Sequence, residues 1–277
     1  MRIVDAEKTA PQPFSTHRVG RIENKQLLAG REGAPDNYEL SLVLIEGEYS
    51  TPRHRHNFDQ IRVMLEGRFG FGKDRVQEQG SLGYFAEGVY YTQAAMGPSV
   101  TLLYQGAGAS GQGFMSYRQL EAAKARLAAR GSFAGGVFTT SRDDGGKRNQ
   151  DAYEAIWEEC NGRRLEYPAA RYDAPVISDP AAFAWVPAGA GVAIRRIGGF
   201  GERGMETGFL RLEAGAIHAL EPGMLLYCIS GAGAGWQGGC AMATDDAPAE
   251  LRATAASEFW TMRLPRFAAA ESLARAA

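Results

Sequence analysis

Residues 38–104 are cut into short apolar runs, each ended by a glycine-containing turn, and this rhythm limits what the chain can fold into. Tyr38–Ile45 first alternates, placing Tyr38, Leu40, Leu42 and Leu44 on one face, then turns apolar on both faces, as a strand does on entering a two-sided core. Residues 61–66 stop at Gly67, and strand-like runs at 68–72, 80–93 and 100–104 follow with turns between them. Strands this short, with turns at intervals of about 8 to 12 residues, close into antiparallel sandwiches or barrels. The 35 glycines have no period, so they mark turns and exclude collagen.

After Gly106 the pattern becomes helical. Ser116 and Gln119 have the spacing of a capping box, Leu120, Ala123 and Leu127 recur on one face, and Gly131 follows, which predicts a helix over 117–130. A polar link at 141–149 leads to a second predicted helix from Asp151, whose stripe of Tyr153, Ile156, Trp157 and Cys160 must dock on another element. Pro168, Pro175, Pro180 and Pro187 make 167–187 an extended connector. Strand patterns resume at 191–197, 207–213, 224–229, 235–237, 251–255 and 259–264. A chain of 277 residues exceeds most single cores. The expected division is a first barrel over 1–115, a helical connector over 116–180 and a second barrel over 181–277.

The two halves can be compared residue by residue. Placing Gly231 on Gly67 sets an offset of 231 − 67 = 164, which puts His218 on His54, Leu220 on His56, Met224 on Gln60 and Leu226 on Arg62. An internal duplication explains this, and it predicts two stacked barrels of which only the first keeps a polar interior.

That interior is the stretch from Gly47 to Gly67, which holds two of the four histidines. In an extended strand His54 and His56 present both imidazoles to one pocket, a chelating arrangement, with Gln60 at the same parity. Arg62 and Met64 continue that face. An arginine inside a barrel needs a partner, so Arg62 is a candidate anchor for a substrate carboxylate, with an internal salt bridge to Glu66 as the alternative. Tyr38 is a further candidate for the cavity wall.

These residues resemble the cupin superfamily. Gly47, His54, His56, Gln60 and Gly67 follow its first motif, with glutamine where the family has glutamate. Gly80, Ala86, Gly88 and Tyr91 follow its second, with alanine at the proline and tyrosine at the third histidine. The resemblance implies an all-β chain of two double-stranded β-helix (jelly-roll) barrels with a short helical insertion, a bicupin whose second barrel is degenerate. It also implies a divalent transition metal (Fe, Mn, Ni or Zn) on His54, His56, Gln60 and Tyr91, with Gln60 and Tyr91 as candidate catalytic groups and Arg62, Tyr38 and Met64 toward substrate. Two imidazoles, an amide and a phenol are a poorer set than three histidines and a glutamate. Two functions therefore stand side by side: a metal-assisted dioxygenase or isomerase acting on a carboxylated substrate, and a non-catalytic barrel binding an organic acid or sugar.

Charge is nearly balanced, 30 basic against 32 acidic residues, so the expected partner is a small molecule and neither nucleic acid nor membrane. No apolar run reaches the length of a membrane span. Cys160, Cys228 and Cys240 form no paired framework and read as buried small hydrophobes in a reducing, cytoplasmic setting. The fold implies a possible homodimer. Gly106, Gly108 and Gly111 spell G-x-G-x-x-G, but without the βαβ context of a dinucleotide site they read as a loop. His17 reads as exposed, and His218 stands without its companions.

Overall fold

The computed structural model describes residues 1–13, 19–20, 22–141 and 148–268; His17 lies outside them. Two seven-stranded antiparallel sheets dominate the fold. The first runs Val176–Ser178, Leu82–Phe85, Asp59–Glu66, Ser99–Gly106, Tyr38–Ile45, Glu23–Ala29 and Gln12–Pro13. A five-stranded sheet, Val19–Gly20, Tyr49–His54, Tyr91–Ala95, Phe69–Gly72 and Arg75–Gln77, completes the first jelly-roll barrel. The second large sheet runs Arg2–Asp5, Cys240–Ala243, Met224–Ser230, Ser257–Arg263, Met205–Leu212, Val192–Phe200 and Val186–Gly189. Its opposite wall is reduced to two short pairs, Ile217–Leu220 with Ala249–Arg252 and Ala232–Gly233 with Trp236–Gln237.

The order of equivalent strands is the same in both large sheets, and the glycines that set the repeat do the same work. Gly67 and Gly231 have φ of 71° and 101°. A Cβ at Gly67 would lie 2.3 Å from the Pro98 carbonyl oxygen, and one at Gly231 would lie 2.5 Å from that of Ala256. Each glycine thus turns the chain against the start of the next inner strand, at Ser99 or Ser257.

Each large sheet also takes an edge strand from outside its own half. Arg2–Asp5, which the sequence groups with the first barrel, pairs with Cys240–Ala243 of the second, from Arg2 opposite Ala243 to Asp5 opposite Cys240. Val176–Ser178, from the connector, pairs with Leu82, Gly83 and Tyr84 of the first. The exchange covers the otherwise bare edges and ties the barrels together.

Between the large sheets lies one shared core. Leu40, Leu42, Ile61, Val63 and Tyr84 of the first barrel meet Phe200, Phe209, Leu225, Trp260 and Met262 of the second. The rings of Tyr84 and Phe200 are 4.5 Å apart. Inside the second barrel, Leu210, Leu226, Cys228, Trp236, Met242 and Phe259 fill the space that polar residues line in the first. Cys228 and Cys240 are buried there, and burial pushes the Cys228 thiol up to about 12.

The helical insertion covers the mouth of the first barrel. Helix α1 spans Tyr117–Ala128, with the Ser116–Gln119 capping box formed in both directions. Helix α2 spans Ala152–Asn161; the Asp151 carboxylate caps the Tyr153 and Glu154 amides, and Gly162 ends the helix at φ 64°. A small sheet of Gly131–Ala134, Val137–Thr140 and Asn149–Asp151 joins them; residues 142–147 of the polar link lie outside the described residues. Tyr153, Ile156 and Trp157 dock on Leu120, Ala123 and Leu127 of α1 and on Phe58 and Phe114 at the barrel mouth. Among the described residues no helix is long and apolar enough to cross a membrane.

The G-x-G-x-x-G loop wraps one of the protein's own carboxylates. Ser110 donates its amide to Glu87 Oε1 at 2.7 Å and its hydroxyl to Glu87 Oε2 at 2.5 Å. A Cβ at Gly108 would lie 2.5 Å from the Glu87 carboxyl carbon, so glycine there lets the backbone close on the acid.

Candidate functional site

A cavity of about 110 Å³ lies inside the first barrel under the helical insertion. His54, His56, Gln60, Arg62 and Met64 all line it. They do not share one strand: Tyr49–His54 ends at the first histidine in the five-stranded sheet, residues 55–58 cross over, and Gln60 sits in Asp59–Glu66 of the seven-stranded sheet. The imidazoles therefore reach the cavity from one wall and its rim, and Gln60, Arg62 and Met64 from the facing wall. On that strand the alternation is strict, since Ile61 and Val63 point the other way into the shared core.

Arg62 is the electrostatic centre of the site. It is 6 % exposed. Its Nε and Nη2 donate to Gln60 Oε1 at 3.1 and 2.6 Å, and Nη2 donates to the Tyr91 hydroxyl at 3.2 Å. The Gln93 amide is oriented by its neighbours: with Nε2 toward the Tyr49 hydroxyl (2.9 Å), its Oε1 accepts from Arg62 Nη2 and Nη1 at 2.7 and 3.2 Å. The Phe85 ring lies 4.2 Å from the guanidinium carbon. Every one of these acceptors is neutral, and among the described residues no carboxylate pairs with Arg62. The internal bridge to Glu66 is not formed.

His54 Nδ1 lies 2.8 Å from the Pro52 carbonyl oxygen and 3.2 Å from the Thr51 hydroxyl. A carbonyl only accepts, so Nδ1 carries a proton, and in the neutral ring the lone pair is then on Nε2. The rings of His54 and His56 are 5.0 Å apart, edge to face. Tyr153, the second residue of α2, stands edge-on to His56 at 5.7 Å and donates its hydroxyl to Asn57 Oδ1 at 2.8 Å.

Tyr91 takes the register position opposite His54, with its ring 4.5 Å from that imidazole. The ring packs with Phe71 and Phe85 behind the cavity wall, and the hydroxyl donates to Gln60 Oε1 at 3.2 Å. Tyr38 lies on the opposite face of its strand from the cavity. It stacks on Tyr104 at 6.1 Å and accepts from Arg2 Nη2 at 2.9 Å in the region between the barrels, so it takes no part in the cavity wall. The cavity face of that strand is Val43 and Ile45. Met64 accepts from the Thr101 hydroxyl at 3.6 Å.

Several cavity residues escape the sequence motifs. Gln93 follows Tyr91 by two on the same strand, a parity signal, although a bulge intervenes. Tyr49 begins the histidine strand. Tyr117 and Tyr153 arrive from the starts of the two helices, which only tertiary packing brings here. Tyr117 donates to Gln105 Oε1 at 3.2 Å, and burial pushes its own hydroxyl pKa up. Glu39, opposite Gln105 in the sheet, accepts from Asn24 Nδ2 at 3.1 Å, and burial pushes its carboxyl up to about 7.

No protein-family model and no curated protein sequence matches the chain. Solved structures do. A Nostoc punctiforme protein described as a "putative dioxygenase" aligns over 96 % of this chain and 84 % of its own with a TM-score of 0.58 at 9 % identity. Bacillus subtilis oxalate decarboxylase, in a structure whose description names Mn(II) centres, aligns over 96 % and 78 % with a TM-score of 0.54 at 13 % identity. A second structure of that enzyme covers 95 % and 77 % at 14 % identity and a TM-score of 0.54. The chain has the bicupin fold.

Within that fold the first barrel keeps two imidazoles of the implied metal set and redirects the other two positions. Gln60 Oε1 already accepts from Arg62 twice and from Tyr91 once, which leaves its lone pairs no room for a metal ion. Among the described residues no three His, Cys, Asp or Glu side chains are placed to hold a metal ion together. Two imidazoles beside a guanidinium, with no anionic ligand, do not fit a resident divalent ion as arranged. The second barrel carries His218 alone, with Leu220, Met224 and Leu226 at the positions that the offset of 164 pairs with His56, Gln60 and Arg62.

Proposed function

We propose that the first barrel captures a small carboxylic acid, with the carboxylate on Arg62. The observation that supports it is a nearly buried guanidinium in a cavity wall with three neutral acceptor atoms and no counter-charge. A buried charge left without a counter-ion costs several kcal/mol, and an anionic ligand removes that cost with paired, charge-assisted hydrogen bonds. Gln60, Gln93 and Tyr91 orient the fork, and the Phe85 face supports it from one side. His54 and His56 line the same cavity as the anchor, and the insertion over the mouth separates the bound acid from bulk water.

A second reading, a metal-assisted dioxygenase or isomerase, draws its support from the His54 tautomer, because an Nδ1 proton held by a carbonyl is how proteins orient an imidazole toward a metal. It requires Gln60 to leave Arg62 or an exogenous anion to complete the site. Metal analysis of untagged protein tells the two apart. Capture by Arg62 predicts sub-stoichiometric metal that His54→Ala with His56→Ala leaves unchanged, and acid binding that survives chelation. Metal near one equivalent, lost in the double variant together with acid binding, would refute it.

A further inference from the structure

The same cavity points to the class of acid. Resting on the reading of Arg62 as an anion anchor, we infer that the ligand is a short apolar monocarboxylate. Away from the polar groups around Arg62 the lining is mainly Val43, Ile45, Met64, Phe69, Leu103 and Leu120, with the Thr101 hydroxyl among them turned onto the Met64 sulfur at 3.6 Å. That surface offers nothing to a second charged group.

The groups facing the cavity from the other side give the same answer. The Nδ1–H of His54 is taken by the Pro52 carbonyl at 2.8 Å, and in the neutral ring Nε2 has only a lone pair to turn toward a second carboxylate. Tyr117 donates to Gln105, and burial raises its pKa, so it presents a committed, neutral phenol. Glu39, paired with Gln105 on the adjacent strand, has its carboxyl pushed up to about 7 by burial, and when ionised it adds negative charge rather than positive. Arg62 is thus the single fixed cation among the described residues of the cavity wall. A dicarboxylate would have to desolvate its second anion against aliphatic carbon, which costs several kcal/mol. Inorganic phosphate or sulfate, polar on every side, meets the same walls.

Volume limits the chain length. A cavity of about 110 Å³ is smaller than an engineered apolar one of roughly 150 Å³ that admits benzene with its six carbons, so the ligand has at most about six non-hydrogen atoms, and butyrate marks that upper limit. The acid end sits on Arg62, and the alkyl end lies against Met64 and Leu103.

The test is calorimetric titration of the full chain near neutral pH with butyrate, acetate, butyramide, oxalate and malonate. Butyrate is expected to bind, butyramide not to, and the two dicarboxylates to bind more weakly by roughly tenfold or more. Arg62→Met should abolish butyrate binding. Because that variant removes a buried group, Leu103→Phe serves as an independent arm: by filling the alkyl end it should lose butyrate while keeping acetate. Oxalate or malonate binding as tightly as butyrate, or butyrate surviving Leu103→Phe unchanged, overturns the monocarboxylate inference and leaves carboxylate capture standing. Failure of every carboxylate to bind, or butyrate affinity unchanged in Arg62→Met, overturns carboxylate capture itself.

Discussion

Glu39→Gln separates the burial of a carboxyl from everything else that titrates in this protein. Glu39 is 1 % exposed, accepts from Asn24 Nδ2, and is pushed by burial from the usual 4.5 to about 7. A carboxyl raised in the folded state holds its proton more tightly there than in the unfolded chain. Its stabilising contribution is therefore complete below about pH 4.5 and lost as pH rises through about 7. The interval of about 2.5 pH units, at about 1.4 kcal/mol each, amounts to roughly 3 kcal/mol of stability lost by pH 8. Glutamine keeps the acceptor for Asn24 and cannot ionise. Urea unfolding of both proteins at several pH values from about 4.5 to 8 measures the difference directly, and contributions from all other groups cancel in it. The variant should gain on the wild type by about 3 kcal/mol across that range. A difference that stays flat would refute the burial argument, and with it the claim that Glu39 stays neutral beside a cavity meant for an anion.

Three further outcomes follow from the fold. Gly67→Ala and Gly231→Ala should each destabilise by about 2 kcal/mol or more, since a positive φ and a carbonyl contact act together, whereas Gly80→Ala, at φ 82° with open space around it, should cost only about 1 kcal/mol; denaturant midpoints decide. Deleting residues 1–6 removes the partner strand of Cys240–Ala243, so amide exchange there should accelerate by roughly tenfold or more while butyrate binding in the first barrel is retained. Thiol labelling of native protein should leave Cys228 and Cys240 unmodified until unfolding, because both are buried and the Cys228 thiolate is strongly disfavoured.

Much of the candidate site was legible because side-chain parity is a local property. Gln60, Arg62 and Met64 alternate with Ile61 and Val63, and no tertiary information is needed to put them on one face. The same reasoning misplaced Tyr38, for parity says which residues share a face but not which face looks inward. In Tyr38–Ile45 both faces are buried, one on the cavity and one on the second barrel, and the even positions went to the second barrel. The histidine pair was located but its geometry was not, since one strand was expected where the chain crosses between two sheets.

By itself the amino-acid sequence determined turn-rich antiparallel strands in both halves, two capped helices between them, and polar groups at 54–62 where an offset of 164 finds Leu220, Met224 and Leu226. Those features rest on period, capping and turn chemistry, each set by neighbours within a few residues. Only the tertiary structure decided that Arg2–Asp5 borders the large sheet of the second barrel and that Val176–Ser178, from the connector, borders that of the first. It also decided that α1 and α2 close the first barrel, and that Arg62 meets Gln60, Gln93 and Tyr91 in place of a carboxylate. Edge pairing and the balance of a buried charge depend on groups far apart in the chain. No local pattern encodes which of them will meet.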